Sequence, residues 1–353
     1  MASKRESAAQ VGEVTPYPKA ELHVHLEATV SPARVREIAR RNGLSSPVFA
    51  EAGPPALHGP TDFAGFIHSW IAMSGLLSRG RDFHEIVVDY AAEVAAQGCV
   101  YIEAIFSPAE PARRGTPWQE IFEGYCSGAD AARELHGVEV RFTPDVTRDL
   151  PPESGEVVAR WAVRFRERGV VGIGLGGSER AYPPELFARP FEIARGGGLR
   201  SAPHAGEMAG AASLRAALDV LRADRLRHGV RAVEDAALLA EIAARGIVCD
   251  VAPTSNLHLG VVPSLGRHPL PQMLAAGVKC SISTDDPALM ATDLTRECDV
   301  ATLLGHTPRD MFSHALDGAF CEDSLRARLR THCASFDWGS VGEPAGALKG
   351  LAT

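Results

Sequence analysis

The stretch Ala20 to Ala28, AELHVHLEA, sets His23 and His25 on either side of a single valine. In an extended strand alternate side chains share a face, so the two imidazoles project together, about 6.6 Å apart along the backbone. A pair so placed either grips a metal ion or belongs to an ordinary half-buried strand. Zinc needs three or four converging ligands, so the remainder of the chain must supply the others.

Candidates stand at the ends of other apolar runs. LRSAPH ends in His204, followed by Gly206 and Glu207, and RLRH ends in His228. VVGIGL leads to Gly176, Gly177 and Ser178, IVCDVAP to Pro253 through Asn256, and KCSIST to Asp285 and Asp286. Singly, each has a structural alternative: a histidine satisfied in a core, or a carboxylate capping a helix. Jointly, His23, His25, His204 and Asp285 offer three imidazoles and a carboxylate, a set suited to one Zn2+ with room for a water. Such an ion lowers the pKa of water from 15.7 to about 7. His228 and Asp285 are then expected to orient that water and take its proton, and Glu207 to protonate a ring nitrogen of the substrate.

For these residues to meet, the elements carrying them must close on one another. Eight strand candidates occur: AELHVHL, CVYIEAIFSP, VEVRFTPDV, VVGIGL, LRSAPH, RLRH, IVCDVAP and KCSIST. Helical patterns separate them, the first (SPARVREIARRNGL) with Ser31 as N-cap, Pro32 at its first position and Gly43 as terminator. Others cover RDFHEIVVDYAAEVAAQG and residues 118–135, 157–168, 185–195, 214–221, 234–245 and 271–276. Eight alternating units in about 270 residues predict an α/β fold of the (β/α)8 barrel type, whose functional groups gather at the C-terminal ends of the strands. Residues 1–353 read as a single barrel domain, with 1–16 and 340–353 as mobile tails and the helices after Asp293 as a C-terminal addition. Between Ser45 and Gly80 lies an insertion: a Gly/Pro-rich loop, EAGPPALHGP, then a helix spacing Phe63, Phe66, Ile67, Trp70 and Ile71 at helical intervals. That stripe is either core or a roof over a pocket at the first strand.

The chain has 353 residues, 45% hydrophobic and 23% charged, with a formal net charge of -8 and no dense Lys/Arg run. A nucleic-acid or anionic-membrane partner is therefore not expected, since both rest on cationic footprints; a small molecule fits better. Seven cysteines without C-x-x-C spacing read as reduced, mostly buried thiols of a cytosolic protein. MASKRESAAQVGEV lacks an apolar signal core and no stretch approaches 18 apolar residues, so a cytoplasmic location is expected. Homo-oligomerisation is left open.

In these motifs the sequence resembles the adenosine deaminase family of metal-dependent hydrolases, over most of its length: PKAELHVHLEA, VYIEAIFSP, VVGIGLGGSE, PHAGE, RLRHGVRAVED, APTSN and STDDP occur in the family's order. The resemblance implies one zinc per chain on His23, His25, His204 and Asp285, with Glu207 protonating N1 of a 6-aminopurine and His228 orienting the hydroxide. It further implies that Asp286 bonds N7, that the backbone of Gly177 meets N3, and that His25 and Glu27 face the substrate. Ala28, Arg227, Ser178 and Ala252 depart from the family's pattern without removing any of these groups. Because Ala28 adjoins Glu27, near the sugar's 5′ side in this family, the departure bears on which nucleoside is bound. Adenosine is the default. The altered turn, Arg148 after the third strand and the Phe63–Trp70 segment leave room for a 5′-extended nucleoside such as aminodeoxyfutalosine, a substrate among relatives, whose carboxylate Arg148 would pair; Arg148 reads equally well as a structural ion-pair partner. Adenine is a further alternative.

Gly172 to Gly177 match G-x-G-x-x-G, but Pro183 and Pro184 follow instead of an immediate helix and the motif lies mid-chain, so dinucleotide binding is disfavoured. A binuclear-metal hydrolase on the same barrel is the stronger rival. Resembling families bridge two metals with a lysine on the fourth strand, and VVGIGLGG has none.

Overall fold

The computed structural model describes residues 16–44 and 63–342. The EAGPPALHGP loop, the first 15 residues and the segment from 343 lie outside that range. Strand β1 (Lys19–His25) is followed by helices α1 (Pro32–Asn42), α2 (Phe63–Leu76) and α3 (Gly80–Ala96), then β2 (Cys99–Ile105) and α4 (Trp118–His136). Strand β3 comes in two segments, Glu139–Phe142 and Asp145–Thr147, and is followed by α5 (Pro152–Arg164), β4 (Gly172–Gly176) and α6 (Ala188–Gly196). Strand β5 is likewise divided, into Arg200–Ser201 and His204–Ala205. Then come α7 (Ala211–Asp219), β6 (Arg225–His228), α8 (Ala236–Ala244), β7 (Val248–Val251), α9 (Leu270–Ala275) and β8 (Cys280–Ile282). The breaks in β3 and β5 fall at Pro144 and Pro203, which lack the N–H a ladder needs; their carbonyls still accept, from Gly174 and Arg227 at 3.0 Å each.

All observed strand pairings are parallel and run in chain order. The ring closes between β8 and β1. His25 N–H donates to the Asp285 carbonyl at 2.8 Å and Asp285 N–H to the His23 carbonyl at 3.1 Å. This is the (β/α)8 barrel the alternation predicted, and its closure alone places Asp285 beside the first-strand histidines.

Local chemistry explains the elements. Ser31 Oγ caps α1 by accepting from Arg34 N–H at 3.3 Å, and Gly43 ends it at φ 68°, a conformation glycine adopts without penalty. In the barrel interior Arg225 is fully buried but satisfied, donating to Glu103, Asp250, and the Leu22 and Gly318 carbonyls at 2.6–3.2 Å. Helices α10 (Leu294–Leu303), α11 (Pro308–Gly318) and α12 (Asp323–Ser335) follow the barrel, with Phe312, Leu316 and Leu325 in a cluster that includes Leu22 and Tyr101. Trp338–Ser340 form a 3-10 turn, with the Asp337 carboxylate accepting from Gly339 N–H, and most of the expected 340–353 tail lies outside the described residues. All seven cysteines are free thiols, six of them buried. Among the described residues no helix is long and apolar enough to cross a membrane.

Candidate active site

Barrel closure gathers His23, His25, His204 and Asp285 at one end of the strands, their donor atoms all within 4.8 Å of one another and all four residues buried. His23 Nε2 lies 3.0 Å and His25 Nε2 3.4 Å from Asp285 Oδ1, and the Nε2 atoms of His25 and His204 are 3.2 Å apart. The outer hydrogen bonds decide where the protons are. His204 Nδ1 faces the Leu175 carbonyl at 3.0 Å and His23 Nδ1 faces the Asp250 carbonyl at 3.5 Å; a carbonyl only accepts, so each Nδ1 carries the hydrogen and each Nε2 points a lone pair inward. Burial lowers His25 to about 3, and burial together with His23 holds His204 well below the usual histidine range. Neutral imidazoles are the ligand form. Lone pairs and a carboxylate meeting without a donor are stabilised by a cation, so the residues present fit a zinc ion.

A second tier surrounds this group. His228 Nε2 stands 3.6 Å from Glu207 Oε1 and 3.8 Å from Asp285 Oδ2. Glu207 is pushed well above the ordinary carboxyl range by burial, then by the charges of Asp285 and Glu179, so it stands as a neutral acid. Asp286 is raised by burial and by its neighbour Asp285. The backbones of His228 and Asp285 lie in the left-handed region, at φ 62° and 64°. Non-glycine residues take that conformation where surrounding structure imposes it, and here it turns both side chains into the site.

Further contacts hold these groups in place. The Glu179 carboxylate accepts from Gly206, Met208 and Ala209 N–H at 2.7–2.9 Å and from Ser213 Oγ at 2.6 Å, holding the loop that carries Glu207. Asp149 accepts from Ser178 N–H at 2.9 Å and Oγ at 2.6 Å. A side chain at Gly177, itself at φ 106°, would overlap the Asp149 carboxylate. Asp145 pairs with Arg227 and lies 3.6 Å from His204 Nδ1, and Ser255 Oγ donates to Asp285 Oδ2 at 2.6 Å. The acid-base residues were visible by type and position at a strand end; these supports have no local motif.

Above the site opens a cavity of about 180 Å3. His25, His204, Glu207, His228, Asp285, Asp286 and Gly177 line its floor, and Phe66, Ile67, Trp70 and Ile71 of α2 with Leu259 form an apolar roof. The aromatic stripe is thus a roof, with Trp70 edge-on to His25 at 6.5 Å between ring centres. Glu110, Asp145 and Asp149 add acidic groups to the wall, which carries no Lys or Arg among the described residues. Two expected substrate contacts stand behind that wall. Arg148 is fully buried, donating to the carbonyls of Tyr182 and His204 at 2.6 Å each, so its guanidinium is engaged away from the cavity. Glu27 accepts from Ser107 N–H at 2.7 Å, and Ser107, not Glu27, faces the cavity.

A (β/α)8 barrel with imidazoles and carboxylates converging at its strand ends has the build of a metal-dependent hydrolase. A family model described as adenosine deaminase matches residues 18–335. An aminodeoxyfutalosine deaminase from Acidothermus cellulolyticus is 47% identical over 328 residues, covering 91% of this chain and 92% of that protein. Among solved structures, the adenine deaminase from Arthrobacter aurescens superposes with a TM-score of 0.84 at 29% identity, covering 92% of this chain and 100% of that one. An amidohydrolase from Burkholderia ambifaria with bound zinc gives 0.82 at 28% identity, covering 93% and 94%. The chain belongs to the adenosine deaminase family. It is accordingly a hydrolytic deaminase with zinc as its cofactor.

Proposed function

We propose that this enzyme removes the 6-amino group of a purine nucleoside extended on its 5′ side, aminodeoxyfutalosine being the substrate class best supported, and yields the 6-oxo product and ammonia. The observation that carries the chemistry is Glu207, buried beside the four-residue donor set at the floor of a cavity, with its carboxyl held well above the ordinary range by burial. The 5′ extension is supported by the 47% identical relative.

His23, His25, His204 and Asp285 would hold one zinc ion, which when bound supplies Lewis-acid activation of water at neutral pH. Glu207 donates its proton to N1 of the purine, drawing electron density from C6 as water attacks there. His228 orients the attacking water. Asp286, held protonated by burial, donates to N7, and the backbone of Gly177 meets N3. When the C6–N bond breaks, the amino group leaves as ammonia; of the two protons of the attacking water, one restores the proton that Glu207 gave to N1 and the other departs with the amine. The apolar roof of α2 closes the cavity above the floor and keeps bulk water from the developing charge. Adenine is the second substrate considered, for one specific reason: the described cavity wall offers no cation to the carboxylate of the extended nucleoside, which must then point out through the mouth. Ammonia release from adenosine, adenine and aminodeoxyfutalosine separates the alternatives. The highest kcat/KM on adenine would replace the nucleoside assignment, and no release from any of the three would remove the deaminase assignment.

A further inference from the structure

His228 turns Nε2 toward the reacting centre and Nδ1 away from it, toward Asn256 Nδ2 at 3.3 Å. Behind Asn256 stands His268, with its Nε2 at 3.1 Å from Asn256 Oδ1 and its Nδ1 accepting the backbone N–H of Leu270 at 3.1 Å. His228, Asn256 and His268 are at most 4% exposed, so water does not compete for these links.

The last link sets the direction of the whole chain. A backbone N–H only donates, so Nδ1 of His268 bears a lone pair. Burial lowers His268 to about 4, so its ring is neutral near pH 7. The one proton of His268 is therefore on Nε2, and it donates to Asn256. Only the amide oxygen accepts, which fixes the orientation of the amide independently of how its atoms were assigned. Asn256 then presents its NH2 to His228, whose Nδ1 accepts and whose proton is left on Nε2.

We propose that His268 and Asn256 are positioning residues that lock His228 in the Nε2–H tautomer, so that His228 shows the attacking water a hydrogen-bond donor and not a lone pair. Held by that donor, the water directs its own lone pair at C6, and its proton leaves to the Asp285 carboxylate. The same lock bears on metal count. Glu207, His228 and Asp285 form a second cluster of donor atoms within 4.8 Å, but a protonated Nε2 offers nothing to a second ion. The proposal rests on His228 facing the reacting water, as in the proposed function, while the tautomer itself is measurable without turnover.

Long-range 1H–15N correlation spectra of the imidazoles, in zinc-loaded and metal-free enzyme, test it, with the His228 signals assigned by their loss in His228→Asn. The expected pattern for wild type is Nε2–H at His228. Asn256→Asp replaces the amide donor by a carboxylate acceptor, and is expected to move the proton to Nδ1 and lower kcat by about 10²-fold with KM unchanged. His268→Gln keeps both a donor for Asn256 and an acceptor for Leu270, and is expected to retain the Nε2–H pattern and near-wild-type kcat. An Nδ1–H pattern in wild type overturns the proposal whatever the variants do, as does an unchanged pattern in folded Asn256→Asp. Failure to deaminate any purine would instead remove the proposed function and leave the tautomer standing.

Discussion

Arg227 and Asp145 form an ion pair inside the barrel, directly in front of the backbone of Gly174. Strand register brings them there: Asp145 is paired with Gly174 across β3 and β4, and Arg227 with His204 across β6 and β5. Arg227 also donates to Thr143 Oγ1 at 2.6 Å, and the second Asp145 oxygen faces His204. A side chain on Gly174 would overlap both charged groups. Removing one partner leaves a buried charge alone, so Arg227→Met is expected to cost about 3–5 kcal/mol in denaturant unfolding. Arg227→Met combined with Asp145→Leu is expected to recover much of that loss. A single-variant cost below about 1 kcal/mol would mean that the pair does not hold this part of the barrel together.

Glu207→Gln removes a proton donor and keeps the shape of the side chain. The expected result is zinc content equal to wild type with kcat reduced by about 10²–10⁴-fold, because Gln cannot protonate N1. Turnover within a few-fold of wild type would assign the acid elsewhere.

His204 supplies one of the inward lone pairs and Asp285 the charge, so His204→Ala and Asp285→Ala should each bind zinc far more weakly than Glu207→Gln does. Elemental analysis of the purified enzyme should return one zinc per chain. Two tightly held ions would contradict the mononuclear assignment and revive the binuclear alternative.

Glu27 makes a pH-dependent contribution whose sign follows from its burial. Its carboxyl is pushed up from 4.5 to about 7, chiefly by desolvation and against the hydrogen bond from Ser107. The folded state therefore holds a proton that the unfolded chain has already released. That contribution is complete below pH 4.5 and is lost as pH rises through about 7. Glu27→Gln cannot titrate, so the stability of wild type minus that of Glu27→Gln should fall across this window, by at most about 1.4 kcal/mol per pH unit. A flat difference would show that Glu27 is already ionised in the folded protein.

The barrel and the six groups around the reacting centre were legible because each rests on local information. Alternating apolar runs mark strands, and a polar residue at a strand end in a closed barrel points to the mouth. The supports were not legible, because their partners are distant: Glu179 reaches Gly206, and Asp145 reaches Arg227. Arg227 was visible as a departure from the family pattern. That Gly174 makes room for it depends on strand register, which no single strand encodes. Arg148 carried two readings by type, a cation for an anionic ligand or a structural partner, and only the path of the chain shows its two terminal nitrogens donating to the Tyr182 and His204 carbonyls.

The roof offers the sharpest test of substrate size. Trp70 lies over His25 and, with Phe66, Ile67 and Ile71, supplies the apolar side of the cavity, whereas the floor is polar. A free base reaches the floor through its own nitrogens and needs little of the roof. A 5′-extended nucleoside fills the space up to α2 and buries its added surface against Trp70. Losing that aromatic contact is worth about 1.5–3 kcal/mol, or roughly 10–160-fold in kcat/KM. Trp70→Ala is therefore expected to lose that factor on aminodeoxyfutalosine and only a few-fold on adenine, with kcat/KM on both substrates measured on the same preparation. Equal losses on the two would place Trp70 over the purine itself, and the roof would then say nothing about what hangs from the sugar.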